Sequence, residues 1–241
     1  MHSKRRFYNN VSADVVKNGW MIKLDDQVLT SPAGSLLILP SSGLANAVVA
    51  EWEAQEEQIN SDKMPIFGLA VTVIDRVIPQ KSSVISELNR YGGSDLLCYR
   101  ADDVELARQQ SKQWQPWLDW VDVEFGARLE VVTGIMPVKQ PDAALFYDFL
   151  NMLDVWRLGV LHRVVSLGGS LVLGLGFLFG RLDAEQLFNT AFLEELWQNE
   201  KWGNDFEAKN RRDYIYLELG ETFRFLQLLP DPQNFHKRMF S

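Results

Sequence analysis

Cysteine and histidine are nearly absent from this chain: one Cys and three His among 241 residues. Cys98 alone cannot close an internal disulfide, which fits a reducing compartment. His2, His162 and His236 are scattered and no cysteine pair exists, so neither a structural zinc site nor another metal site is expected. Basic residues are also in deficit, with 24 Lys and Arg against 32 Asp and Glu and a formal net charge of -8. That balance argues against nucleic acid, whose phosphates need clustered Lys and Arg, and favours a basic patch on a protein partner. A membrane span is missing too. The longest uncharged run, Val164–Gly180, falls short of the roughly 20 apolar residues a span requires, and Ser166, Ser170 and internal glycines interrupt it. Those glycines form no nucleotide loop: no Gly-Lys-Ser/Thr follows, and Gly174, Gly176 and Gly180 miss the dinucleotide spacing by one residue. The first sixteen residues open with Lys4-Arg5-Arg6 but hold no apolar core of signal-peptide length, so export is not expected.

Reactive constellations are equally scarce. No Ser stands in Gly-x-Ser-x-Gly, and Gly169-Ser170 lacks the strand that a nucleophile elbow needs in front of it. Cys98 beside Leu96-Leu97 reads as a small buried hydrophobe. Asp205 and Glu207, two positions apart on a helix, face different directions and make a poor acid–base pair. Glu51, Glu53, Glu56 and Glu57 read as a solvated helix face, and Asp75-Arg76 as structural charges. No catalytic residue, metal or cofactor is assigned.

What is present is a globular composition, 46% hydrophobic with 8 Trp, sufficient for a large core. Residues 5 to 40 read as hairpin-linked strands. Asn18-Gly19 is a hairpin signal, and Trp20, Ile22 and Leu24 alternate with Met21 and Lys23 as a half-buried strand does. Asp25-Asp26 and Pro32-Ala33-Gly34 turn the chain into strands at Gln27–Thr30 and Leu36–Leu39. Pro40-Ser41-Ser42 opens a helix whose buried stripe is Leu44, Val48 and Trp52, predicted to cover one face of the sheet. Thereafter the pattern is helical. Segments start at Pro65, Ser82, Asp102-Asp103 (bent at Pro116 and ended by Gly126) and about 142, 155 and 170; Leu129–Pro141 is an extended stretch rich in turn residues. A helix opened by Asp183-Ala184-Glu185-Gln186 runs to Gly203, and another from Asp205 to Pro230. Val164–Gly180 splits at Gly168-Gly169 into two helices, with Ser170 capping the second. Its glycines, each costing about 1 kcal/mol of helix stability, imply close approach by neighbours. The expectation is an α+β protein: an N-terminal α/β domain over residues 1–62 with a small antiparallel sheet and a covering helix, a larger all-helical domain over 63–230, and a tail at 231–241.

Two stretches suit binding. Arg90–Arg100, RYGGSDLLCYR, holds Tyr91 and Tyr99 either side of a Gly-Gly break, with Asp95 between them. Trp197–Ala208, WQNEKWGNDFEA, joins Trp197 and Trp202 to Glu200, Asp205 and Glu207. Large aromatic side chains and Arg dominate interface energy when centrally buried. Whether the two tryptophans are core or interface stays open at this point.

These stretches also carry a resemblance. Glu51-Trp52 with Gln55, Met64-Pro65, Asp75-Arg76, RYGGSDLLCYR, TGIMPV-x-QP at Thr133–Pro141, GSLVL at Gly169–Leu173 and WQ-x-E-x-WG-x-D-x-EA at Trp197–Ala208 occur in this order. Together they resemble the assembly chaperones for the α subunit of the F-type ATP synthase catalytic head, over about residues 5 to 229. The resemblance implies a non-enzymatic protein with a small α/β domain and a helical domain. It would bind the unassembled α subunit and prevent its aggregation until it pairs with β. Glu200, Asp205 and Glu207 fall where the family's functional acidic positions lie. Arg90, Tyr91, Asp95, Tyr99 and Arg100 join Trp197 and Trp202 as candidate partner-binding residues. The sequence departs from the family at Gly168, Gly174 and Gly176. Bacterial cytoplasm is the expected location, with the mitochondrial matrix after transit-peptide removal as the alternative. A small-molecule hydrolase using an interdomain cleft is the alternative function.

Overall fold

The computed structural model describes residues 5–140, 145–203 and 205–231. His2, Lys4, Pro141, His236, the first residues of the helix expected from 142 and the tail after Asp231 lie outside the described residues. The described residues form two compact units, one of residues up to Lys81 together with those from Glu221 on, the other Ser82–Gly220. A small antiparallel sheet is followed by a succession of helices, an α+β fold.

In the first unit, strands β1 (Val11–Val16) and β2 (Gly19–Leu24) pair antiparallel from Val11↔Leu24 to Val16↔Gly19. On the other side of β2 lie β3 (Gln27–Val28) and β4 (Ile38–Leu39), also antiparallel. Ile22 and Leu24 are buried as the alternation predicts, while Lys23 between them pairs with Asp14 across the ladder at 2.6 Å. The hairpin loop, however, is Lys17-Asn18, one residue before the expected Asn18-Gly19. Gly19 opens β2 at φ 144, and a Cβ there would sit 2.2 Å from the Leu39 carbonyl oxygen. The glycine is required by β4, a neighbour the hairpin rule does not consider.

Helix α1 (Ser42–Glu53) starts at Ser41, whose hydroxyl accepts from Leu44 N, and presses Leu44, Val48 and Trp52 inward. Tyr8 donates to the Trp52 carbonyl at 2.7 Å, and both the Tyr8 and Phe67 rings meet the Trp52 ring edge-on. Glu51 is a correction to the solvated-face reading. Its buried carboxylate accepts from Ile66 N and Phe67 N, both at 2.8 Å, and so caps α2 (Pro65–Thr72), which has no side-chain cap of its own. Burial raises the Glu51 pKa, and those two bonds pull it back down. Gln55 closes the following turn by accepting from Asn60 N and donating to the Glu51 carbonyl. This unit therefore continues past residue 62. After α2 a single π turn, Val73–Val77, brings Asp75 to the β3–β4 loop, where it accepts from Ser31 Oγ at 2.6 Å and from Ala33 N.

The second unit contains α3 (Lys81–Gly92), α4 (Val104–Phe125), α5 (Leu145–Met152), α6 (Val155–Gly168), α7 (Leu171–Leu178), α8 (Ala184–Ala191), α9 (Leu193–Trp202) and most of α10 (Phe206–Leu228). All eight residues of α7 are buried, and it packs against α4, α6 and α8. Helix α6 ends at Gly169 in the left-handed conformation, φ 73, and Ser170 caps α7 through Leu173 N, as expected from the Gly-Gly-Ser sequence. A Cβ on Gly174 would lie 2.7 Å from Val165 and 2.9 Å from Leu161, so α6 side chains occupy the space this glycine leaves. The Asp183–Gln186 capping box is complete. Two features escape the sequence pattern. Tyr99–Arg100 (β5) and Val132–Thr133 (β6) pair in parallel, each too short for a periodicity to show. The helix expected from Ala184 to Gly203 breaks at Phe192, whose φ -98 and ψ 17 leave helical backbone and whose ring stacks on Phe188 at 4.9 Å; the i, i+4 spacing of the two rings gives no sign of the break.

Candidate functional site at the junction of α9 and α10

Helix α9 ends where Gly203 takes φ 87 and donates to the Asn199 carbonyl. The Asp205 carboxylate then accepts from Glu207 N at 2.8 Å and starts α10. This local chemistry separates the two tryptophans. Trp197 is 7% exposed, while Trp202, at the end of the helix, is 75% exposed and meets the Trp197 ring edge-on at 5.7 Å. Trp197 Nε1 is buried without a hydrogen-bond partner. Lys201 lies 5.3 Å over the Trp197 ring and donates to Glu105 at 2.9 Å, and that bond raises its pKa. The one cation within Trp197–Glu207 is thus engaged, whereas Glu200, Asp205 and Glu207 are exposed.

Phe206, the first residue of α10, is 75% exposed, and Tyr214 and Leu217 are exposed as well. At 100° per residue these three lie within about 80° of one another on the helix surface. Arg212, Ile215 and Leu219 form the opposite, buried side. Arg211 and Arg212 reach Glu195, and Arg163 pairs with Glu218, anchoring α10 along its length. The 3.6-residue period of this helix points to its buried stripe alone. The second apolar set recurs at i, i+8 and i+11, too widely spaced to stand out as a face in the sequence.

Arg90–Arg100 is built differently. Arg90 is exposed and Tyr91 and Tyr99 are half-buried, but Asp95 and Arg100 are interior. Asp95 accepts from Leu97 N at 3.0 Å, from Ser170 Oγ at 2.7 Å and from Val172 N at 3.0 Å. It therefore caps both the 3-10 turn Leu96–Cys98 and α7. Burial pushes its pKa up to about 6 against the pull of these bonds. Arg100 lies 5.3 Å over the Trp114 ring and donates to the Leu97 carbonyl. Neither side chain is available to a partner in this arrangement; their bonds hold α7 and β5. Cys98 is buried and its thiol is pushed up to about 12, chiefly by burial. Among the described residues no group of His, Cys, Asp and Glu is placed to hold a metal, and no helix is long and apolar enough to cross a membrane. No hydrogen bond or ion pair among the described residues joins Arg90–Arg100 to Trp197–Glu207.

The arrangement presents aromatic and acidic side chains and no reactive pair. Atp12 from Paracoccus denitrificans is 37% identical, with a TM-score of 0.87 over 93% of this chain and 97% of that one. This chain belongs to the ATP12 chaperone family. The family model, ATP12 chaperone protein, matches residues 5–122. A mutant form of the P. denitrificans protein superposes equally well, with a TM-score of 0.87, 36% identity and the same coverage. A mitochondrial relative, protein atp12 of Schizosaccharomyces pombe, is 26% identical over 219 residues, covering 84% of this chain and 75% of the relative. ATP12 chaperones thus include bacterial and mitochondrial proteins, and this one is an ATP synthase assembly chaperone.

Proposed function

We propose that the protein binds the unassembled α subunit of the F-type ATP synthase head and covers its β-facing surface, preventing aggregation until β replaces the chaperone. The observation that carries this reading is the α9–α10 junction, where Trp202, Phe206, Tyr214 and Leu217 stand exposed beside Glu200, Asp205 and Glu207. Exposed apolar groups rimmed by charge mark protein-binding surfaces, and the family assignment together with the quoted motifs points to the α subunit as the occupant. Burying one Trp or Phe there is worth roughly 1.5–3 kcal/mol. A few such anchors, less the cost of association, give a complex that can release its client. The function needs no chemical step, and the site residues are contact residues, not catalytic ones. Arg90, Tyr91 and Tyr99 remain candidates for the contact surface; Asp95 and Arg100 support it from inside. The place of action follows that of the ATP synthase head, the bacterial cytoplasm or the mitochondrial matrix.

Co-expression with the α subunit of the same organism tests this. The wild type is expected to keep the subunit in solution and to co-purify with it. Trp202→Ala and Glu207→Lys should each lower the captured amount while the far-UV circular dichroism spectrum and melting temperature stay near wild type. Trp197→Ala should instead cost about 3–5 kcal/mol of stability as a buried large-to-small change. If Trp202→Ala unfolds the chain, or captures the α subunit as well as wild type does, this surface is not the binding site.

A further inference from the structure

The stretch TGIMPV turns two adjacent apolar side chains outward. Ile135 is 92% exposed and Met136 75% exposed, side by side. Their backbone is nevertheless held firmly. Thr133 and Val132 pair with Arg100 and Tyr99 in the parallel ladder, and Gly134 N donates to the Arg100 carbonyl at 2.8 Å. Across the base of the loop the buried Gln140 side chain accepts from Glu130 N at 2.8 Å and donates to the Glu130 carbonyl at 2.9 Å. Ala127 and Leu129 are buried before the loop begins. A turn tied at both ends pays little ordering entropy on binding, and the two apolar side chains gain by leaving water.

Beside the loop lies a cleft of about 600 Å³ on the flank of α4, lined in part by Asp119, Asp122 and Glu130, with Arg128 the one cation among the described lining residues. Asp119 already accepts from Gln115. Among the described residues the lining thus carries three carboxylates against one guanidinium, a setting that favours a basic group over an acidic one. Protruding side chains call for a recess in a macromolecule and not for a small ligand, which would itself have to enclose them.

We propose that the 131–136 turn and this cleft form a second docking surface on the chaperone. Its occupant is a segment of the client α subunit that offers an apolar recess to Ile135 and Met136 and an adjacent Lys or Arg to the Asp119, Asp122 and Glu130 carboxylates. The proposal rests on the chaperone reading above but not on the α9–α10 surface, since it uses different residues.

The test is capture of the co-expressed α subunit by the full chain carrying Ile135→Ser with Met136→Ser, and separately by Asp122→Lys. Size-exclusion chromatography of each chaperone alone and thermal melts run alongside. Loss of two apolar anchors should weaken capture by about ten- to a hundredfold, with melting temperatures near wild type because both side chains are exposed. Asp122→Lys should weaken capture as well, and Asp122→Asn less than the reversal does. Full capture by the Ile135→Ser, Met136→Ser chain, with wild type active, overturns the second surface and leaves the chaperone reading intact. A shift from dimer to monomer with capture unchanged also overturns it, by making a second copy of this chain the occupant. If wild type itself captures no α subunit, both readings fall together.

Discussion

The Asp95 carboxylate accepts two backbone N–H groups and the Ser170 hydroxyl while wholly out of water. Removing it leaves those donors buried without partners, so Asp95→Ala should cost about 2–5 kcal/mol in urea unfolding. Its pKa rises on folding from the ordinary 3.8 to about 6 because burial disfavours the charge. Between those values the folded state holds more protons than the unfolded one, so unfolding free energy falls as pH rises. The contribution is complete below pH 3.8 and gone above about 6. Urea titrations of wild type and Asp95→Asn from acid to neutral pH should show this slope in the first and not in the second. Equal slopes would place the titration on another group. Glu51 does the same work for α2, and both carboxylates take the place of caps that their helices' own sequences lack or share.

Among the elements, α7 and α10 show how one residue type can carry opposite constraints. Alanine at position 174 would gain about 1 kcal/mol in helix propensity, yet its methyl would press on Val165 and Leu161 at under 3 Å. Overpacking of that kind costs about 1–3 kcal/mol. Gly174→Ala is therefore expected to destabilise the protein despite the better helix former. Gly220, inside α10, has nothing within 4 Å of a built Cβ and no positive φ. Gly220→Ala should raise stability by about 0.5–1 kcal/mol. Chemical denaturation of the two variants against wild type checks both signs in one experiment, and matching shifts would refute the packing account of Gly174.

For the whole molecule, the governing quantity is charge. A formal -8, with Glu200, Asp205 and Glu207 exposed beside apolar groups, favours approach by a basic surface over an acidic one. Such steering is screened within about 8 Å at physiological salt. With the α subunit as the proposed client, association should therefore slow by about tenfold between low and high salt while dissociation changes little. Stopped-flow mixing over a salt series measures this, and Glu207→Lys should flatten the dependence. A salt-independent on-rate would mean that the acids act only at contact or not at all.

Much of the architecture was legible because its signals are local. Ser41, Asp103, Ser170 and Asp183 each accept from a backbone N–H two or three residues ahead, and each helix start was readable from that spacing. The buried stripe of α1 and the split of Val164–Gly180 rest on the same short range. What the sequence left open depends on groups far apart in the chain. Glu51 meets its α2 donors 15 and 16 residues away, and Asp95 meets Val172 at a separation of 77. The same holds at the site. Trp197 and Trp202 are one residue type five positions apart in one helix, so propensity cannot separate them. Sequence alone determined the order of sheet and helices and the acidic, aromatic character of the α9–α10 junction. Only the tertiary structure decided which tryptophan is interior and which acids face outward, because burial is set by whatever the fold brings over a side chain, and no local pattern records that.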